Sequence, residues 1–472
     1  MTVTPTRRNL LDYKPVRAVA RSRWYPGVLQ YAATAVFAVV VYQLLVGPQA
    51  AHDNLGTALV WVLWWPLIPV VFVAVGRAWC TVCPFGKLSD LVQRLVGVNR
   101  PVPRFLKRYG IWIIDAQFIA ITWADHVFGI VESPWGTGML LLLMTTAVVV
   151  SGAFFTRRTF CRYLCFLGGL SGNYARTGAV ALRADTGICA TCTARAACFN
   201  GGDAAPACPL FEFPRTMDSS ANCNLCANCV KNCPNDAITL TLRPPTKELW
   251  FVRRPRIEET FLAVAIMGIV FIQNITMLGV WNDVLDWISG TFGITGRGVI
   301  FTAAFAVAIA VPAALLAAAS FVASRVAGGT VRDNFTRFGY ALIPLDVAGH
   351  VAHNLFHLLA EGRSVFYTAL EALGRQGSYG ASTAFVPTGT IQVLQYAVVA
   401  LGVTGSAYTA WRIARGPAAA GTAPSAGSAG PGGAAGPAAA RTWATLAPYA
   451  VLLLVFGAFN VYLFALPMAM RM

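Results

Sequence analysis

The sequence predicts a polytopic α-helical membrane protein of about nine spans, with a small cysteine-rich domain inserted after the fourth. Two observations predict it. First, 56% of the 472 residues are hydrophobic and only 12% charged, with a mean hydropathy of +0.59. That is too apolar for a chain whose only solvent is water. Second, eight of the twelve cysteines fall within residues 189–234, in CxxC-like groups. Cysteines grouped in this way ligate metal in a reducing compartment rather than pairing as disulfides.

In chain order, residues 1–23 are basic (Arg7, Arg8, Lys14, Arg17, Arg21, Arg23) and read as a cytoplasmic N-terminus. Thr6-Arg7-Arg8-Asn9-Leu10-Leu11 faintly resembles a twin-arginine export signal. The apolar run starts too late and is too long for a cleaved signal, so an uncleaved anchor is expected. A four-span membrane domain fills 24–175, with spans near 24–46, 57–76, 111–131 and 138–155, the last of them short for a ~30 Å core. The cysteine domain occupies 176–250. A second four-span domain fills 251–415, with spans near 259–281, 298–324, 339–360 and 389–411. A Gly/Ala/Pro tract at 416–442 has nothing to bury and reads as a disordered linker. Residues 443–472 carry the final span. Nine spans starting inside leave only Arg297, Arg363, Arg375 and Arg471 of the 36 Lys and Arg outside. This bias puts the cysteine domain in the cytoplasm of a cell-membrane protein. The net charge of +16 is thus a topological signal, and no nucleic acid is expected as a partner.

The cysteine domain holds Cys223-Asn-Leu-Cys226-Ala-Asn-Cys229-Val-Lys-Asn-Cys233-Pro234, a C-x2-C-x2-C-x3-C-P run that suits a [4Fe–4S] cubane. Cys189, Cys192, Cys198 and Cys208-Pro209 form a loosened copy. Paired CxxC groups also serve structural zinc, but zinc does not need three cysteines at this spacing followed by x3-C-P. The other four cysteines lie in an internal repeat. Gly76-Arg77-Ala78-Trp79-Cys80-Thr81-Val82-Cys83-Pro84-Phe85-Gly86 is echoed by Arg158-Thr159-Phe160-Cys161-Arg162-Tyr163-Leu164-Cys165-Phe166-Leu167-Gly168, each closing a two-span hairpin. Cys80, Cys83, Cys161 and Cys165 therefore sit at one membrane depth and supply enough thiolates for a third [4Fe–4S] or a redox dithiol set. Cysteines buried only for packing have no reason to recur in a repeat. Arg77, Arg158 and Arg162 beside them would offset cluster charge.

In span 339–360, His350, His353 and His357 fall within about 60° of helical arc, with Asp346, Asn354 and Glu361 beside them. Ionisable groups in lipid normally face a cofactor, a water path or a partner helix. Three readings stand open. One is haem b, with one of these histidines opposite His126 on span 111–131. Another is a copper or other transition-metal site at His353 and His357, extended by Met468, Met470 and Met472. The third is a protonatable quinol pocket. No nucleophilic triad, phosphate-cradling loop or dinucleotide fingerprint is visible, so no nucleotide is expected.

The cysteine spacing resembles that of two-cluster bacterial ferredoxins. This implies an α+β ferredoxin-like domain with crossed ligation, one [4Fe–4S] on Cys189, Cys192, Cys198 and Cys233 and the other on Cys223, Cys226, Cys229 and Cys208. Over residues ~24–245 the architecture resembles the membrane-bound 4Fe–4S polyferredoxin family (NapH/NosR/CcoG-like), which joins CxxxCP pairs at helix ends to such a domain. This chain departs from the family in the two-residue gap of Cys80/Cys83 and in Phe166 where proline is usual. The resemblance implies an electron-transfer protein, an oxidoreductase of the quinol-dehydrogenase or metalloreductase type if it is an enzyme. Electrons would pass between a cytoplasmic donor or the quinone pool and an outer-side redox protein, within a multi-subunit complex. The alternatives are a cupric reductase and an assembly or regulatory factor for a respiratory metalloenzyme.

Overall fold

The computed structural model describes residues 9–194, 197–252, 254–294, 296–375, 382–416 and 435–467. Among them, seven helices are long and apolar enough to cross a membrane. These are α1 (Gly27–Val46), the 42-residue stretch Leu55–Val96, α5 (Pro134–Phe154), α7 (Ile257–Thr276), α9 (Arg297–Ala327), α12 (Thr388–Ala414) and α13 (Ala435–Ala465). Two other expected spans are helices too, α4 (Arg104–Phe128) and α10 (Ile343–Ala360). Arg104, Lys107, Arg108 and Asp115 on one, and Asp346 and three histidines on the other, make them less apolar. The span expected to be short is 21 residues long, because the Ser133 hydroxyl caps Gly136 N–H at 3.0 Å and Pro134 starts the helix a turn early.

The Leu55–Val96 stretch is not one rod. A π-helical turn, Ala58–Trp64, leads into α2 (Trp65–Val75). Gly76 then takes φ +62°, which a side chain would resist. A short turn carries Cys80, Cys83 is extended, and α3 (Pro84–Val96) restarts at its proline. The second repeat does the same after α5, with Cys165 extended before α6 (Phe166–Tyr174). Helix α7 lies at the centre and is buried on most of its surface. One apolar core joins it to α9, α10, α12 and α13 through Met267, Leu316, Leu345, Val399 and Phe456. A second ties both halves together through Ile68, Phe118, Leu170, Ile266, Phe301 and Val347. Between α7 and α10 lies α8 (Val280–Phe292), and α11 (Ser364–Ala372) follows α10.

The inserted domain is built on β1 (Val180–Ala184) and β4 (Ile238–Leu242), antiparallel with Leu182 opposite Leu240, and a minimal hairpin of β2 (Gly201–Gly202) and β3 (Ala205–Pro206). Its core is Leu182, Met217, Val230 and Ile238, closed by Leu11 from the N-terminal segment. That segment is part of the domain's packing: Asn9 Oδ1 accepts from Leu240 N–H at 3.0 Å, Tyr25 Oη donates to the Leu225 carbonyl at 2.9 Å, and Arg21 pairs with Asp236. The domain is fastened to the helices as well. Arg77 donates to the Ala221 carbonyl at 2.6 Å, Arg157 to the Cys208 carbonyl at 2.9 Å, and Thr81 to the Asn224 carbonyl. Buried Glu248 gathers Arg183, Arg243 and Ser220 N–H at the same junction. The linker tract lies outside the described residues between 417 and 434, and residues 435–442 belong to α13.

Candidate metal centres and the cavity beside them

Three groups of four cysteines form. Cys189, Cys192, Cys198 and Cys233 surround one small cavity. Burial first, then the neighbouring thiols Cys189 and Cys233, push the Cys198 thiol up. The Ala237 N–H points at Cys233 Sγ and the Asn235 amide at Cys192 Sγ, both at 3.3 Å. Cys208, Cys223, Cys226 and Cys229 form the second group. Burial pushes Cys223 up to about 12, against the Leu225 N–H, with Cys226 and Cys208 adding to the rise. Cys226 is pushed up to about 11 by burial, against the Asn228 N–H. Leu225 and Ala227 have φ near +60°, winding the loop so that these N–H groups face the sulfurs. Burial raises Cys229 most, followed by Cys226, Cys223, Cys208 and finally Cys198, which belongs to the first group. The two groups thus stand side by side, with Cys198 of the first next to Cys229 of the second.

The third group is the repeat quartet. Cys165 lies beside Cys161, Cys83 and Cys80. In both copies the second cysteine caps a helix of at least nine residues, so that N–H groups of the first turn face its sulfur: Phe85 and Gly86 for Cys83, and Gly168 for Cys165. A cap does not need proline at the next position, which explains why Phe166 can replace it. The repeat also explains Gly86 and Gly168. A Cβ on Gly86 would come within 3.1 Å of the Arg158 guanidinium, and one on Gly168 within 2.8 Å of the Cys161 carbonyl. Arg77 and Arg158, equivalent in the repeat, are each 4% exposed. Arg158 binds Asp90 with two bonds, at 2.7 and 3.1 Å, and reaches the Cys80 carbonyl at 3.4 Å. It also lies near both Cys161 and Cys226, so it stands between the second and third groups. Arg162 instead lies over the Phe211 ring with Arg157, each 4.1 Å from its centroid.

Each group offers four sulfurs, inward N–H groups and, for the last two, buried cations. That donor set fits a [4Fe–4S] cluster, whose potential is set by such bonds and charges. Among the described residues, no three His, Cys, Asp or Glu close on one point as a single ion requires.

A cavity of about 550 Å³ begins at Cys80, Cys83, Cys161 and Cys165 and runs to His353, His357 and Glu361. Its size is that of a small-molecule site. Trp61, Trp64, Trp65 and Trp79 wall it, with successive ring centroids 5.6–6.1 Å apart. The histidine stripe is shared among different partners. His350 Nδ1 meets Tyr174 Oη at 3.1 Å, His353 Nδ1 meets Asn274 Oδ1 at 2.8 Å, and His357 Nδ1 meets Glu361 Oε2 at 3.1 Å. His353 and His357 line the cavity; His350 and His126 do not. His126 stacks on Phe301 at 4.9 Å and bonds the Thr122 carbonyl at 3.0 Å. The structure does not bring it together with the other three. Met468, Met470 and Met472 lie outside the described residues. The cavity and its tryptophan wall had no separate reading in the sequence, where Trp61, Trp64 and Trp65 pass as ordinary apolar span residues.

Residues 57–103 and 137–184 each match the family model described as "4Fe-4S binding domain". The two matches coincide with the two repeats and hold one cysteine pair each. The chain is similar to the membrane-bound 4Fe–4S polyferredoxins. A curated relative, "Putative electron transport protein YccM" of Escherichia coli (strain K12), is 25% identical over 254 residues. The alignment covers 46% of this chain and 66% of the relative's length. No solved structure matches the chain.

Proposed function

We propose that the protein is a membrane electron-transfer protein that exchanges electrons between the quinone pool and a cytoplasmic partner through three [4Fe–4S] centres. The observation that carries this reading is the cavity. It is large enough for a quinol headgroup, sits at membrane depth, and touches the Cys80/Cys83/Cys161/Cys165 quartet directly. The Cys208/Cys223/Cys226/Cys229 group stands next to the quartet, and the Cys189 group, closest to the surface, is where a soluble partner would exchange electrons. The family match over both repeats supports iron–sulfur ligation at the quartet, and the printed name of the relative supports electron transport. The bias of Lys and Arg supports a cytoplasmic inserted domain.

The test is anaerobic purification of the full chain, iron analysis and addition of a lipid-soluble naphthoquinol. About twelve irons per chain and bleaching of the cluster absorbance by the quinol are expected. Absence of bleaching at full iron content would overturn the quinol reading. A Soret band would restore the haem reading.

A further inference from the structure

The cavity is charge-segregated along its length. Its charged and imidazole lining residues divide by end. Arg77 and Arg158 stand at the cysteine end; His353, His357, Glu361, Asp125 and Glu132 stand at the other. The split follows from the fold. Arg77 and Arg158 belong to the repeat that builds the quartet. Glu361 closes α10, and Asp125 lies in the last turn of α4, where its Oδ1 takes the Val131 N–H at 2.8 Å and fixes the loop carrying Glu132. His357 and Glu361 are 5% and 2% exposed, so this pair is held in the protein interior, 3.1 Å apart, with one face on the cavity. Keeping such groups out of water is costly, and in a membrane protein it marks a path for charge.

We propose that the cavity separates the two products of quinol oxidation, with electrons leaving at the arginine end and protons leaving on the opposite face through His357 and Glu361. This rests on the quinol reading above. The balance is simple: the hydroquinone loses two electrons and two protons and becomes the quinone. The electrons go singly to the iron–sulfur centre of the quartet. The protons go to the His357 imidazole and on to the Glu361 carboxylate, which hands them to water beyond the end of α10. Two buried guanidiniums attract electron density and repel protons at one end, while carboxylates and imidazoles accept protons at the other. The titratable groups around the exit are His353 on the same helix, Asp125 and His126 at the end of α4, Glu132 on the following loop, and the His52–Asp53 pair on the turn against which α11 packs. Turnover of a redox couple would then move charge across the membrane.

The experiment uses the iron-loaded full chain in sealed vesicles containing a naphthoquinol precursor. Orientation is fixed by protease access to the inserted domain, and pH dyes report on each side. A single turnover should release about one proton per electron on the face away from the cysteine domain. Glu361→Gln should slow quinol-driven cluster reduction about 100-fold and flatten its pH profile, while naphthoquinone binding and cluster reduction by dithionite stay as in the parent. Glu361→Asp, which keeps the carboxylate, should recover most of the rate and shows that folding is not the cause. Protons appearing on the cysteine-domain side, or a parental rate in both Glu361→Gln and His357→Phe, would overturn the proposal and leave the quinol reading standing. No oxidation of quinol at all would remove both.

Discussion

Arg158→Met tests the electrostatics of the relay most directly. Methionine keeps much of the volume and removes the charge. The partner, Asp90, has 29% of its side chain exposed, so it can hydrate once the guanidinium is gone, and the chain should still fold. The guanidinium lies 3.4 Å from the Cys80 carbonyl, so its charge is taken at a separation of about 7 Å from a centre held by the quartet. At an effective dielectric of about 20, a unit charge at about 7 Å is worth about 2 kcal/mol. For a one-electron couple, about 1.4 kcal/mol corresponds to 59 mV, so the loss amounts to about 100 mV. Reduction potentials should therefore fall by about 50–100 mV at the quartet and at the Cys226 centre. The Cys189 centre, on the far side of the second group, should move far less. The measurement is a redox titration followed by electron paramagnetic resonance, which separates the three centres by their spectra. Equal shifts at all three centres, or none, would refute the placement of Arg158 between the second and third groups.

Other expectations follow from the same geometry. Cys161→Ser should cut iron from about twelve to about eight per chain while leaving the spectrum of the two ferredoxin-type centres intact, as checked by iron analysis and resonance spectra. Gly168→Ala places a methyl 2.8 Å from the Cys161 carbonyl and should cost the third centre, whereas Gly172→Ala, 3.6 Å from its nearest neighbour, should retain it; iron content distinguishes the two. Leu11→Asp puts a charge into the core of the inserted domain, where Leu11 is 5% exposed. It should destabilise that domain by about 3 kcal/mol, read as faster proteolysis within residues 9–26 and 176–250.

How much of this was legible in the sequence varies with the range of the interactions. The two ferredoxin-type groups were legible because local spacing fixes most of their ligands, and only Cys208 and Cys233 must cross. The quartet was legible from the repeat, which put equivalent cysteines at equivalent helix ends. The histidine stripe was legible as one face of a helix, but its partners were not. Tyr174 and Asn274 lie 176 and 79 residues away from the histidines they meet, and periodicity carries no information about them. The basic N-terminus read as cytoplasmic because Arg and Lys dominate it, and composition carried nothing about its packing. In the structure its apolar members, Leu11, Val16 and Ala20, close the inserted domain. The cavity was invisible for a general reason. Hydropathy scores a tryptophan alike whether its ring faces lipid, a neighbouring helix or a void.

The cavity also bears on why the far side of the membrane holds histidines at all. A hydrocarbon core of about 30 Å is too thick for an electron to cross from the quartet without an intermediate stop, and that requirement is what made haem or copper at the histidine helix attractive. A fixed cofactor needs ligands that face one another. Here His126 is stacked on Phe301 and His350 is turned to Tyr174, so among the described residues no histidine pair spans α4 and α10, although the His353 and His357 rings stay 5.2 Å apart on one helix. On the proposed reading a mobile carrier would remove the requirement, because its electrons would never cross the whole core: it would bind where the cavity already touches the quartet. What must cross instead is the proton. From Asp346 to Glu361 the helix rises about 22 Å, and on one face it presents Asp346, three histidines and Glu361, with Asn354 among them. Along it the His357 and Glu361 side chains are hydrogen-bonded to each other, and that end of the file is the one that suits a proton. On the proposed reading, the two ends of the protein divide one oxidation into its charged parts.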